Sequence, residues 1–206
     1  MSSDSSSTIA SEIELVPANY CQLLDLSAIF GRQGPLEVDL GTGDGSFLAA
    51  IAAENPERNF LGIERLLGRV RTACRKIERA GLTNARILRI EISSAVERLL
   101  PAESVSVFHL MFPDPWPKRR HAPRRLVSET FLLSLHRALC PEGIVRIATD
   151  APDYFRQITR LTSQSQHFAV IAASSPMTAT SKFERRFTQE GAAIHRLGLR
   201  KVSPVT

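Results

Sequence analysis

The stretch Phe112-Pro113-Asp114-Pro115-Trp116-Pro117-Lys118 gathers a carboxylate, a large aromatic ring and an amine in one short segment. Prolines at alternate positions fix φ and push the residue before each of them into extended geometry. The expected result is a stiff loop. A carboxylate held in such a loop can accept hydrogen bonds from a polar substrate edge and offset positive charge that develops in a reaction. The ring of Trp116 can stack on a planar group or anchor the loop in the core. The plain alternative for Asp114 is a turn-capping acid, because Asp is a common turn residue.

The segment runs on into Lys118-Arg119-Arg120-His121-Ala122-Pro123-Arg124-Arg125, which has five Lys or Arg and no acid. Such a run neutralises phosphates. Charge runs are more often solvated faces, but this one adjoins Asp114 and would bring a polyanion to the reactive carboxylate. A second cluster, Ser181-Lys182-Phe183-Glu184-Arg185-Arg186-Phe187, mixes cations with aromatics, as RNA-contacting loops do. A third basic stretch, Arg65 to Arg79, spreads its cations around a helix and reads as solvated surface. Asp150, in Ala148-Thr149-Asp150, is a further carboxylate, placed either to contact substrate or to orient the loop lysine.

A different constellation lies upstream, in Glu37-Val38-Asp39-Leu40-Gly41-Thr42-Gly43-Asp44-Gly45. Glycines at alternate positions let the backbone turn tightly and let a ligand approach it closely. Glu64 stands 21 residues after Gly43, where an acid in doubly wound folds bonds ribose hydroxyls. A dinucleotide site has the spacing G-x-G-x-x-G and sets pyrophosphate on a helix N-terminus. Here the spacing is G-x-G-x-G, and Glu37 and Asp39 would repel a pyrophosphate. A ligand carrying a sulfonium and an ammonium would be attracted. The pattern therefore favours S-adenosylmethionine over NAD, with Glu37, Gly41, Gly43 and Glu64 as its contacts. Glu91 is a candidate for the adenine edge, with Ser93 and Ser94 as rivals.

The elements that must position these residues alternate. Strands are expected at Leu36–Leu40, Phe60–Ile63, Ala85–Ile90, Val105–Met111 and Ile144–Ala148, with candidate final strands at Phe168–Ala173 and Ala193–Val202. Helices are expected at Ala18–Phe30, Ser46–Ala53, Leu66–Ala80, Ser94–Leu100, Arg124–Leu139 and Pro152–Ser163. That alternation predicts an α/β fold with a mostly parallel sheet and helices on both faces. Ligands in such sheets bind beyond the carboxyl ends of the strands, so the residues just after each strand are the ones that matter.

The 206-residue chain suits a single domain over residues 11–206 after a serine-rich, disordered tail at 1–10. No apolar run reaches the roughly 18 residues of a membrane span. Cys21, Cys74 and Cys140 form no C-x-x-C pair, which points away from disulfides or zinc and toward a reducing cytoplasm. The net charge of +5 is compatible with a polyanionic partner.

Phe112 to Arg125 has the form F-P-D-P-W-x-K-x-R-H-x-x-R-R and closely resembles the loop of the bacterial tRNA (guanine-N7-)-methyltransferases. The glycine turn, Leu61-Gly62-Ile63-Glu64 and Ala148-Thr149-Asp150 match in the same order, so the likeness spans about Leu36 to Arg200. The resemblance implies a Rossmann-like class I methyltransferase with a seven-stranded sheet and no metal. It implies that Glu37, Glu64, Glu91 and Asp114 hold or adjoin S-adenosylmethionine. Lys118, Asp150 and Ser181, Lys182, Phe183 and Glu184 would contact a guanosine of the tRNA variable loop. Asp114 would be the catalytic residue, and Arg119, Arg120, Arg124 and Arg125 would bind RNA. Departures are Ser181 for a usual threonine, Glu91 for a usual Asp or Asn, and Thr42 where an aromatic is common. Other readings compatible with these residues are an RNA-binding module on a degenerate methyltransferase fold and a methyltransferase acting on another RNA. Monomer and homodimer are both left open.

Overall fold

A computed structural model describes residues 13–172 and 193–202, apart from the side chains of Arg119 and Ala122. Among these residues the chain forms two compact units that meet in sequence between Pro101 and Ala102.

The first unit carries β1 (Glu14–Leu15), α1 (Leu26–Phe30), β2 (Leu36–Leu40), α2 (Ser46–Glu54), β3 (Asn59–Glu64), α3 (Leu67–Arg79) and β4 (Ala85–Arg89). It ends in α4 (Ile92–Ser94), which runs on as a π-helical turn over Ala95–Leu99. The strands lie in the order β1-β4-β3-β2, all parallel. Every residue of β2 and β3 is buried, as expected of strands covered on both faces. Val38, Leu40, Phe60, Leu61, Ile63, Ile87 and Leu88 build the core with Leu48, Ile51, Val70 and Ile77 of the helices.

The second unit carries β5 (Val105–Met111), a 3₁₀ helix (Arg119–Arg124), α5 (Glu129–Ala138), β6 (Leu139–Thr149), α6 (Pro152–Ser163), β7 (Phe168–Ile171) and β8 (His195–Lys201). The order is β5-β6-β8-β7, with β5 and β6 parallel and β8 antiparallel to both neighbours. Its core joins Val105, Phe108, Leu110, Val145, Ile147 and Leu199 to Leu132, Leu135, Tyr154 and Ile158.

The mostly parallel α/β class is as the sequence predicts. The strand count differs: eight strands occur among the described residues, because the short β1 pairs with β4 through Glu14 and Leu15. Two helices are shorter than expected. Helix α1 starts at Leu26, because Asp25 adopts extended geometry and its side chain accepts from the Ala28 amide as an N-cap. Upstream, Asn19 Oδ1 accepts from the Cys21 amide and holds a turn in place of helix. Likewise the helix expected from Arg124 divides. Ser128 caps α5 by accepting from the Phe131 amide, and Arg119–Arg124 forms a separate 3₁₀ turn containing Pro123. Strand β6 begins directly after α5, with a register break that moves from Val105↔Leu139 to Val107↔Ile144.

Candidate functional site

In the first unit the glycine turn follows β2 at its carboxyl end. Gly41, Gly43 and Gly45 have φ of 84°, 57° and 75°, the left-handed region that L side chains disfavour. The Gly41 and Thr42 amides donate to the Ile63 carbonyl, and the Gly45 amide donates to the Thr42 carbonyl. The three glycines differ in surroundings. A Cβ on Gly45 would lie 2.6 Å from the Cβ of Ala73 on α3, so the turn is packed down on that helix. A Cβ on Gly41 or Gly43 would meet nothing nearer than 3.5 Å and 3.9 Å. That edge of the turn has room for a ligand against its backbone.

Asp39, Asp44 and Glu64 border the turn, and Glu37 stands apart toward the amino end of β2, where it meets Arg58 just before β3. Glu37 and Asp39 share one face of β2, as residues two apart must, and both are buried. Glu37 accepts from Arg58 Nη1 at 2.9 Å, and Asp39 accepts from Thr42 Oγ1 at 2.6 Å. Glu64, at the end of β3, accepts from the Gly43 amide at 3.2 Å and the Leu66 amide at 2.9 Å. It thereby ties the turn to the neighbouring strand end. Arg69 stands 3.7 Å from Glu64, and Lys76 pairs with Asp44 at 2.7 Å and also donates to Ser46 Oγ. Burial alone would raise the Asp44 carboxyl, but the bonds from Lys76 and Ser46 outweigh it and hold that group below the usual carboxylate range. Sequence reasoning assigned the cations of α3 to solvent. Two of them instead pair with acids of the turn: Arg69 with Glu64 nearby in sequence, and Lys76 with Asp44 and Ser46 across a separation that no local pattern shows.

Glu91 follows β4. It accepts from the Ser94 amide at 3.0 Å and from Ser93 Oγ at 3.3 Å, which makes it the N-cap of α4. Its rivals for an adenine contact are therefore its own hydrogen-bond partners.

In the second unit the proline-rich loop leaves β5. The Phe112 amide donates to the Ala148 carbonyl at 2.7 Å, which sets the loop beside the end of β6. Asp114 and Asp150 thus follow the carboxyl ends of two adjacent parallel strands. Asp114 is exposed and Asp150 half-buried. Phe112 and Trp116, which precede prolines and are expected to be extended, instead have φ of 55° and 42°. Such backbone costs on the order of 1–3 kcal/mol per residue and persists only where surrounding contacts over-determine it.

Trp116 meets His121 edge-on at 5.7 Å, and the Arg124 guanidinium lies 5.2 Å from its ring centre. Arg125 Nε donates to the Pro115 carbonyl at 2.8 Å. Lys118, Arg120 and Arg124 are exposed, whereas Arg125 is half-buried. The expected contacts at Ser181, Lys182, Phe183 and Glu184 lie outside the described residues. Sequence reasoning missed Tyr154 and Gln157 of α6, which hold Arg125, and Arg58, which neutralises Glu37.

The methyltransferase family model Methyltransf_4 matches residues 33–198. The tRNA (guanine-N7-)-methyltransferase of Syntrophotalea carbinolica is 37% identical over 179 residues, covering 83% of this chain and 76% of that protein. This chain belongs to the tRNA (guanine-N7-)-methyltransferase family. Its relative of the same name from Leifsonia xyli subsp. xyli is 38% identical over 187 residues, with 86% of this chain and 81% of that protein covered. The family resemblance read from the Asp114 loop is thereby borne out. Among solved structures, the 16S rRNA methyltransferase KamB superposes with a TM-score of 0.64 at 17% identity, covering 89% of this chain and 95% of that one. The tRNA (m1A58) methyltransferase TrmI of Aquifex aeolicus gives 0.53 at 12% identity, covering 82% and 63%. At such identity these two show the class I methyltransferase fold alone. No helix among the described residues of this methyltransferase is long and apolar enough to cross a membrane.

Proposed function

We propose that this methyltransferase transfers a methyl group from S-adenosylmethionine to N7 of a guanosine in the tRNA variable loop. The observation that carries the reading is the loop after β5. It holds an exposed Asp114 between two positive-φ residues and leads directly into a turn bearing exposed Lys118, Arg120 and Arg124. A reactive carboxylate and a phosphate-binding run in one short segment fit a nucleic-acid base as substrate.

S-adenosylmethionine supplies an electrophilic methyl group. Gly41 and Gly43 offer it open backbone and Glu64 offers a carboxylate for its ribose hydroxyls, with Glu37, Glu91 and Asp114 as the further contacts that the family resemblance implies. The buried acids fit a cationic group and disfavour a pyrophosphate.

N7 of guanine has a free lone pair and carries no proton, so no general base is needed to release the nucleophile. The residues act by orientation, which can supply several powers of ten in rate. Asp114 accepts hydrogen bonds from the guanine N1–H and amino edge and offsets the positive charge that the base gains. Lys118, Asp150 and the segment Ser181 to Glu184 complete base and ribose contacts, while Arg119, Arg120 and Arg124 take backbone phosphates. The free thiols of Cys21, Cys74 and Cys140 suit the cytoplasm.

A tRNA transcript made with 7-deazaguanosine tests the reading. It keeps the guanine N1–H and amino edge but has no nucleophile at position 7. The expected outcome is binding equal to that of the ordinary transcript with no methyl acceptance. Methyl acceptance equal to that of the ordinary transcript would overturn the assignment to N7.

A further inference from the structure

We infer that Arg125 is a positioning residue: its guanidinium locks the carbonyl of Pro115, and with it the Asp114 loop, onto α6 and does not serve as a phosphate ligand. The inference rests on the methyl-transfer reading for its kinetic part and on geometry alone for its structural part.

The last residue of the basic run differs from its neighbours. Lys118, Arg120 and Arg124 are exposed, and Arg125 is half-buried. Its Nε donates to the Pro115 carbonyl at 2.8 Å, and its Nη1 donates to Gln157 Oε1. The guanidinium carbon of the same residue lies over the Tyr154 ring, 5.1 Å from its centre. Three contacts of different chemistry thus fix one planar group: a backbone acceptor, a side-chain acceptor and a π face. A planar fork with fixed donor directions is the group suited to that task.

What holds Arg125 is itself fixed. Tyr154 is fully buried, and its hydroxyl accepts from the Val127 amide at 3.0 Å. Both Tyr154 and Gln157 belong to α6. The chain that Arg125 grips is in turn the part that most needs a grip. Pro115 sits between Asp114 and Trp116, and Trp116 has a φ of 42°. Backbone in that region relaxes unless neighbouring contacts over-determine it. The bond to the Pro115 carbonyl is such a contact, one residue from the carboxylate that meets the base. Arg124 works on the same loop from the other end, over the Trp116 ring.

The substitutions Arg125→Lys and Arg125→Gln separate a brace from a phosphate ligand, because lysine keeps the charge and loses the fork. Under the brace, both variants lower kcat by up to about 10²-fold, the effect of misplacing a reacting group by about 1 Å. Both leave tRNA Kd and its salt slope unchanged. Under phosphate binding, Arg125→Lys retains activity, while Arg125→Gln raises Kd and reduces the salt slope by about one contact, roughly 0.9. That second pattern would overturn the inference.

Trp116 is the chain's single tryptophan, so its fluorescence reads the loop directly. Arg125→Lys should increase its quenching by acrylamide, and unchanged quenching would overturn the brace. Gln157→Leu changes no charge and leaves the loop sequence intact. It should move kcat and quenching in the same direction by less, and wild-type values for both would count against the brace. Absence of methyl transfer by the wild-type protein would defeat the functional proposal and leave the quenching comparison to decide the brace.

Discussion

Replacing Gly45 by alanine should be among the most damaging single-methyl changes in the first unit. Two penalties add. The residue has a φ of 75°, which costs an L side chain roughly 1–2 kcal/mol. The new methyl would lie 2.6 Å from Ala73 Cβ and 2.7 Å from Ala73 Cα. The second of these is backbone of α3, which cannot rotate away, so the helix must shift. Overpacking of that kind typically costs 1–3 kcal/mol, giving a total of roughly 2–5 kcal/mol. For a chain of this size, each kcal/mol lowers Tm by about 2–4 °C, so a fall of roughly 4–20 °C is expected. Two controls isolate the steric part. Gly81→Ala has a φ of 63° with open space around it, and Gly41→Ala has a φ of 84° with its nearest neighbour at 3.5 Å. Each should cost only the backbone term, about 1–2 kcal/mol. Thermal and urea unfolding of the three variants give the comparison. A Gly45→Ala variant no less stable than Gly81→Ala would refute the packing of the turn on α3.

Four further outcomes are expected. Glu64→Gln replaces an acceptor-only carboxylate that receives the Gly43 and Leu66 amides. Hydrogen bonds to charged groups are worth about 1.5–3 kcal/mol, so S-adenosylmethionine Kd should rise roughly 10–150-fold by calorimetry. Asp114→Ala should abolish turnover in a methyl-transfer assay while tRNA affinity in filter binding stays near that of the wild type; near-normal turnover would remove Asp114 from its role. Arg119→Glu with Arg120→Glu should raise tRNA Kd and flatten its dependence on salt, and an unchanged slope would count against the phosphate-binding run. Burial pushes the Cys74 thiol up to about 11 from an ordinary value near 9. A raised value means the folded chain keeps a proton that the unfolded chain releases. Stability from this site is therefore complete below pH 9 and declines as pH rises from 9 to 11. Urea titrations across that range should show a smaller decline for Cys74→Ala than for the wild type.

Most of the scaffold was legible because local signals agreed with the global fold. Strand β5 lies at Val105–Met111 and helix α6 at Pro152–Ser163, both as read from sequence, since an apolar run and a proline at the first helical turn mark their limits. Helix α1 was overextended because residues 18–25 are compatible with helix and only the Asp25 cap decides its start. The helix before β6 is expected from Arg124, but that residue closes a 3₁₀ turn and Ser128 supplies a new N-cap. The two-residue β1 has no periodic signal at all; it exists because β4 offers a parallel edge.

The same division holds for the site. Glycine spacing and alternate prolines announce themselves in the sequence, so the turn and the loop could be found. The hydrogen bonds that fix them could not. Glu64 reaches the Gly43 amide across 21 residues, Lys76 reaches Ser46 across 30, and Arg125 reaches Gln157 across 32. Only folding brings such partners together. They also change what the motif residues mean: Glu37 is paired with Arg58, and Arg125 is engaged by its own loop.

The proposed reaction is methylation of guanine N7 in tRNA. Its most direct test is transfer of label from S-adenosylmethionine to unmodified tRNA transcripts, followed by digestion and nucleoside analysis. Label is expected in 7-methylguanosine. Label in a different nucleoside would contradict the assignment of the base, and tRNA binding without any transfer of label would contradict the assignment of an enzyme.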